Sequence, residues 1–347
     1  MSQKLRSLLG HRVLLSAVLL IILCLALPVY AHVPVSADGN NEISTALTIE
    51  KPTKSYVIYG HLHEAGEAAY YQLRMNPDER LVLSLMTTGF NAPVPDMIIL
   101  SPENAWRDEG LPHMVTIPEG YGAVIIRGVQ PQKAEYEPFS PVALYNAATF
   151  SKDIRAPGTY YVAVVSPADE TRYSMAIGYV EEFTPSEWIL VPINVISTHL
   201  REGQSVLSVF SPFLAVVVLG FIVIARREQR SGSHLTLSGW LARAAGLCYL
   251  GGAAITFTQM VRALGVTGPS PAGALTLILV IIPVALGTLA MQIGAITPRK
   301  TLKERIFLVL IGVLGLTFWA GLIIGPVLVI GAAALPDRSP SPRQSGE

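Results

Sequence analysis

The sequence predicts an all-β sandwich, jelly-roll-like, presented outside a membrane and followed by an α-helical transmembrane bundle. Three observations predict it: short alternating runs between turn signals in the first half, long uncharged runs after Val206, and a basic-then-apolar start. The composition agrees. With 51% hydrophobic and only 14% charged residues, the 347-residue chain is too apolar for an ordinary soluble protein. Its zero net charge also hides a division. Residues 32–205 carry 21 Asp and Glu against 11 Lys and Arg, and the rest carries 4 against 14.

Residues 1–31 are read as a secretory signal. Lys4, Arg6 and Arg12 precede an apolar stretch over 13–27, and Pro28-Val29-Tyr30-Ala31 places small or branched residues where cleavage occurs. The alternative is an uncleaved anchor, because 13–30 is nearly long enough to span a bilayer. A lipid attachment at Cys24 is disfavoured by Ile22 and Leu23 before it. The only other cysteine is Cys248, in an apolar run, so the β-domain has no disulfide and must be stable through its own core.

Residues 32–183 form the extracytoplasmic domain. Strands are expected at 55–59, 68–75, 80–86, 97–100, 122–127, 143–150, 159–165 and 173–180, separated by Gly- and Pro-containing turns. Residues 184–205 follow as a neck. Thr184-Pro185-Ser186-Glu187 has the capping oxygen, first-turn proline and Glu of a helix start, and Trp188 suits the headgroup level of a membrane. Pro192 is expected to interrupt this helix.

Four transmembrane helices are expected within 206–335, at 206–225, 239–261, 272–296 and 306–335. The last is long and contains Pro326, so tilting, kinking or re-entry stay open. Basic residues set the orientation. Arg226, Arg227, Arg230, Arg243, Arg299, Lys300, Lys303 and Arg305 border the connections expected inside, against Arg201, Arg262, Arg338 and Arg343 on the other side. Four crossings would return the disordered tail, 336–347, to the outside. The protein is thus placed in the cytoplasmic membrane as a multi-pass chain with its N-terminal domain extracytoplasmic. Polar groups within the spans are Thr256, Thr258, Gln259, Thr288 and Gln292, uncharged and suited to bonds between helices. Gly321 and Gly325 have the spacing of a close-packing motif.

Two patches resemble a known family. Ala46 to Ile49, Gly60, Ala69-Tyr70-Tyr71-Gln72-Leu73, Asn76 to Glu79 and Leu81-Val82-Leu83-Ser84-Leu85, and later Pro157-Gly158-Thr159-Tyr160-Tyr161 with Tyr173 to Tyr179, follow the order of the pre-peptidase C-terminal domain. That resemblance implies a secreted β-sandwich. The chain departs from it where Ala69 replaces the family's usual Asp, and in the longer, proline-rich middle over 90–150. Such motifs concern strands and turns and support a fold more than a function.

No reaction is legible. The chain lacks a Gly-x-Ser-x-Gly elbow, a His-Glu-x-x-His motif and a phosphate-cradling Gly-rich loop, so an enzyme is not expected. The acidic domain disfavours nucleic acid. Calcium would find oxygens in Glu135-Tyr136-Glu137, Asp169-Glu170 and Glu181-Glu182, without the dense alternation of a calcium loop. Trp106, Tyr121, Tyr136 and Phe139 are candidate ligand-stacking aromatics in or beside Pro-rich loops. Copper is a candidate metal: cleavage after Ala31 would make His32 an N-terminal chelator, with His61 and His63 on one face of an extended run. The leading expectation is a non-catalytic cell-envelope protein whose sandwich binds another envelope protein or a surface polymer, with the lipid bilayer as its other partner. The alternatives are an extracytoplasmic copper-binding protein and a subunit of a membrane enzyme or transport complex.

Overall fold

The computed structural model describes residues 33–102, 112–113, 115–168, 170–231, 235–296 and 300–336. The expected signal over 1–31, His32, Trp106, Asp169 and the tail after Pro336 lie outside them. A β-domain comes first, with strands β1 (Val33–Ser36), β2 (Leu47–Ile49), β3 (Tyr56–Leu62), β4 (Ala68–Met75), β5 (Arg80–Thr87), β6 (Asp96–Ser101), β7 (Gly122–Ile126), β8 (Glu135–Glu137), β9 (Val142–Asp153), β10 (Gly158–Val165) and β11 (Thr171–Ile177). They make two sheets, ordered β1-β3-β11-β5-β9-β8 and β2-β4-β10-β6-β7. The eight expected strands are β3 to β7 and β9 to β11. β1 and β2 join parallel at the edges, and the remaining pairs are antiparallel.

Alternation explains the core. On β11, Tyr173, Met175 and Ile177 point inward while Arg172, Ser174 and Ala176 point outward; on β5, Leu81, Leu83 and Leu85 point inward. These residues share one buried cluster with Tyr71 and Leu73 of β4, Met97 and Ile99 of β6, and Tyr160, Val162 and Val164 of β10, so both sheets contribute to a common core. Ala69 lies in the same cluster, where an Asp would be a buried charge. Tyr71 and Tyr173 meet hydroxyl to hydroxyl at 2.5 Å. Burial pushes Tyr71 up to about 12, which keeps its phenol protonated. Gly60, paired with Tyr173 across β3 and β11, gives that ring room: a Cβ there would lie 2.2 Å from it.

Six helices follow: α1 (Pro185–Arg201), α2 (Val206–Ser231), α3 (Leu237–Thr267), α4 (Gly273–Ile296), α5 (Leu302–Thr317) and α6 (Ile324–Ala334). The capping box that opens α1 forms as expected. Thr184 Oγ1 accepts from the Glu187 amide at 3.2 Å, and the Glu187 carboxylate accepts from the Thr184 amide at 2.8 Å. Contrary to expectation, α1 runs unbroken through Pro192. The proline has no N–H to give the carbonyl four residues back, that of Trp188, and the Trp319 indole donates to that carbonyl instead at 2.9 Å.

Three helices, α2, α3 and α4, are long and apolar enough to cross a membrane. The fourth expected span, 306–335, is not one helix. It breaks into α5, a 3-10 turn over Ala320–Leu322, and α6. Trp319, Gly321, Leu322 and Ile323 all have positive φ there, so the chain cannot continue as a helix. It doubles back. At the open end, Arg305 of α5 donates to the carbonyls of Ala333 and Leu335 at 2.6 and 2.7 Å, which sets α5 and α6 antiparallel. The first turn of α3 lies at that end too, because Ser238 bonds to the Ala332 carbonyl and receives Lys300 at 2.7 Å. The hairpin closes around Tyr249 of α3: a Cβ at Gly315, Gly321 or Gly325 would lie within 2.3, 2.9 or 3.1 Å of the Tyr249 side chain. The Gly321 and Gly325 spacing therefore serves close packing, across a broken helix.

Candidate functional site

The β-domain is docked on the helices at several points. Lys54, just before β3, forms a two-oxygen ion pair with Glu187 of α1 at 2.8 Å. Burial opposes the Glu187 charge, but the bonds from Lys54 and Thr184 outweigh it and hold the carboxyl below its usual range. Further along α1, Thr198 bonds the Tyr59 hydroxyl at 2.8 Å, and Arg201 donates to Ser36 and lies 4.9 Å from the Tyr59 ring centre. At the opposite edge of the sheet, Tyr136 of β8 bonds Thr276 of α4 at 2.6 Å, and Thr276 donates to the Pro138 carbonyl at 2.7 Å.

Between these tethers lies a cavity of about 670 Å³. Its floor is the outer face of the six-stranded sheet, where Ser84, Ser174 and Ala176 are small enough to leave a hollow. Its walls are α1, the last turns of α3 and the loop from β8 to β9. Arg172, Arg201 and Arg262 line it, as do Glu137 and Glu202. Gln204, just beyond α1, and Gln259 of α3 form a reciprocal amide pair, both bonds at 2.9 Å, and Arg262 donates to Gln204 at 2.6 Å.

The Glu137 carboxylate turns back into its own loop, accepting from the amides of Phe139 and Ser140 at 2.8 and 2.6 Å and from the Ser140 hydroxyl. Burial raises its pKa; those bonds oppose the rise, and the charge of Glu202 adds to it. Beside the cavity wall His199, 1% exposed, has no hydrogen-bond partner on either ring nitrogen among the described residues; the Glu202 carboxylate stands 3.8 Å away.

The residues singled out in the sequence do not converge on one site. Phe139 lines the cavity, whereas Tyr136 is a docking residue. Tyr121 immediately precedes β7 and packs on the five-stranded sheet, where its hydroxyl donates to the Thr159 carbonyl at 3.0 Å and its ring lies against Tyr161. Trp106 lies outside the described residues. His61 and His63 do come together, with ring centres 4.2 Å apart, and His61 Nε2 is buried without a partner. Among the described residues no group of three His, Cys, Asp or Glu side chains is placed to hold a metal, and His32, the third residue of the copper expectation, is not among them. Of the acidic stretches, Glu135 takes the Asn146 amide at 2.9 Å and Glu137 is spent on its own turn.

Sequence reasoning missed Arg201, Arg262, Gln204 and Tyr59 as site residues, because they meet only through the docking of the β-domain. Of the polar residues in the apolar runs, Gln259 bonds to Gln204, and Thr256, Thr258 and Thr288 donate to carbonyls four residues back in their own helices at 3.3, 2.8 and 2.7 Å. Arg243 is paired with Glu228 at 2.7 Å.

No family model matches the chain, and no curated protein matches it. A solved structure titled "pT26-6p" aligns with 80% of this chain at 7% identity and a TM-score of 0.11, and the chain spans about half of that structure's length, 47%. A likeness of that size carries no argument about fold or function.

Proposed function

We propose that this chain is a membrane-anchored, non-catalytic binding protein of the cell envelope, whose jelly-roll sandwich faces outward and whose ligand site is the cavity between sandwich and helices. The observation that carries the reading is that cavity: about 670 Å³, lined from two sides, apolar with a few converging charged groups. The strand order supports the jelly roll. Lettering the eight long strands B to I in chain order gives sheets B-I-D-G and C-H-E-F, the double Greek key of that fold. Three long apolar helices and the basic residues at one end support the membrane placement. The exposed face of α1, with Ile189, Leu190 and Ile193, then rests on the lipid surface.

In this orientation the hairpin of α5 and α6 enters from the cytoplasmic side and returns to it. Arg338 and Arg343 then add to the basic cytoplasmic side, leaving Arg201 and Arg262 opposite. A cysteine label at Ser341 is expected to be protected in intact cells like one at Thr301, while one at Ser166 reacts. Reaction at Ser341 would restore the four-crossing arrangement.

The binding reading is tested by purifying the full chain in mild detergent and extracting what it holds. A small molecule in near-stoichiometric amount is expected from the wild type, and its loss from Ser174→Trp, which fills the cavity floor. A wild type that yields nothing, or hydrolyses an envelope polymer, sinks the reading. A second reading, copper binding, is supported by the His61–His63 ring contact. Unchanged Cu²⁺ affinity in the His61→Ala, His63→Ala variant would dispose of it.

A further inference from the structure

Resting on the reading of the cavity as the ligand site, we propose that it holds an anionic amphiphile from the membrane. The alkyl chain lies along the sheet face, and a carboxylate or phosphate head lies between Arg201 and Arg262.

The charge balance supplies the first argument. Three guanidinium groups line the cavity, and no carboxylate lies within ion-pair distance of Arg172, Arg201 or Arg262 among the described residues. Arg201 is positioned by a serine hydroxyl and a tyrosine ring, and Arg262 by a glutamine oxygen. These contacts are uncharged, so they fix the side chains without neutralising them. Each guanidinium has five N–H donors in a planar fork, which suits a two-oxygen anion. Neither carboxylate lining the cavity is paired with an arginine: Glu137 is turned into its own loop and Glu202 stands 3.8 Å from His199. Arg201 and Arg262 line the same cavity, and Arg262 bonds to Gln204, three residues beyond Arg201.

The walls supply the second argument. The outer face of an antiparallel sheet is polar where it meets water, yet this one presents Val57, Val82, Met86 and Ala176 to the cavity, opposite Val191 and Val195 of α1. A free inorganic anion would leave that surface without a partner. A neutral oil would leave the guanidinium charges without a counter-charge. An amphiphile with an acidic head meets both requirements.

Access from the membrane points the same way. α1 presents Val191 and Val195 to the cavity and Ile189, Leu190 and Ile193 away from it. In the membrane placement proposed above, one helix of about 10 Å diameter therefore separates the cavity from lipid. The membrane is the nearest reservoir of such molecules.

The test uses the full chain in phosphatidylcholine nanodiscs with a photoactivatable long-chain fatty acid, and with the alcohol of the same chain as a neutral control. Cross-links are mapped by peptide mass spectrometry. The acid is expected to label peptides containing Val82 to Met86 or Val191 to Val195 about tenfold more strongly than the alcohol. Arg201→Gln with Arg262→Gln should bring the acid down to the alcohol's level, and Arg201→Lys with Arg262→Lys should restore much of the difference, with unfolding temperature confirming that each variant is folded. Equal labelling by acid and alcohol, or labelling that persists in the glutamine variant, overturns the headgroup assignment. Competition by inorganic phosphate as strong as that by unlabelled acid overturns the amphiphile. Absence of cavity labelling overturns the proposal as well. If a molecule is still extracted from the wild type and lost from Ser174→Trp, the cavity reading survives that result; if nothing is extracted, both fail together.

Discussion

In the β-domain two buried tyrosines, Tyr71 and Tyr173, reach toward each other from opposite sheets and share a hydrogen bond. In the helical region a single buried tyrosine, Tyr249, meets backbone instead: its ring lies against Gly315, Gly321 and Gly325, and its hydroxyl donates to the Ile311 carbonyl at 3.2 Å. Both solutions satisfy a buried phenol, but they do so by different means. Packed sheets stand about 10 Å apart and accept large side chains from both faces. A helical hairpin closing on a third helix must lose side chains where it approaches, and glycine is how it does so. Substitutions should therefore act through space in the helices and through hydrogen bonding in the sheets.

The largest effect is expected in the glycine groove. Gly315→Leu places carbon where the Tyr249 hydroxyl lies, and overpacking of this kind costs about 3 kcal/mol or more. Thermal unfolding of the full chain in detergent should show it, and Tyr249→Ala in the same chain should recover part of the loss. Independent effects of the two changes would mean that the groove is not where the hairpin is held.

Tyr71→Phe comes next. It leaves the buried Tyr173 hydroxyl without its partner at a cost of about 2 kcal/mol. Adding Tyr173→Phe should cost less than a second such loss, since no orphaned hydroxyl remains. Strict additivity in the cycle would break the contrast drawn above.

At the junction of the two regions, Trp319→Phe removes the indole donor from the Trp188 carbonyl and should cost about 1 kcal/mol. Pro192→Ala in that background supplies a backbone N–H for the same carbonyl and should return stability. Lack of rescue would show that the indole bond is incidental.

The last effect is read as a pH dependence and belongs to Glu137. Its pKa is raised in the folded protein, so the folded state holds that proton more tightly than the unfolded chain does. The resulting stabilisation is complete below the ordinary carboxylate value of 4.5 and is lost as pH rises through the raised value. Glu137→Gln should flatten this part of the stability profile. An unchanged slope in that window would remove burial as the cause.

Much of the architecture was legible because periodicity reports burial directly. The eight longer strands alternate or run apolar between Gly and Pro turns, and Thr184 with Glu187 announces the start of α1. β1 and β8 escaped because they have four and three residues and owe their state to their neighbours, while β2 falls in the Ala46 to Ile49 stretch known only by family resemblance. Hydropathy could not show the break at Trp319, since a run that crosses and a run that turns back are equally apolar. Gly321 and Pro326 were the available signals. The cavity was illegible for a different reason. Glu137, Arg201 and Arg262 lie far apart in sequence, and only the docking of α1 on β3 brings them to one space.

The contact at Pro192 also makes the molecule its own optical probe. The indoles of Trp188 and Trp319 lie 4.6 Å apart, close enough for their electronic transitions to couple. One indole reports from the helix beneath the β-domain and the other from the hinge of the hairpin, so separation of the two parts should erase a near-ultraviolet dichroism signal without any added dye.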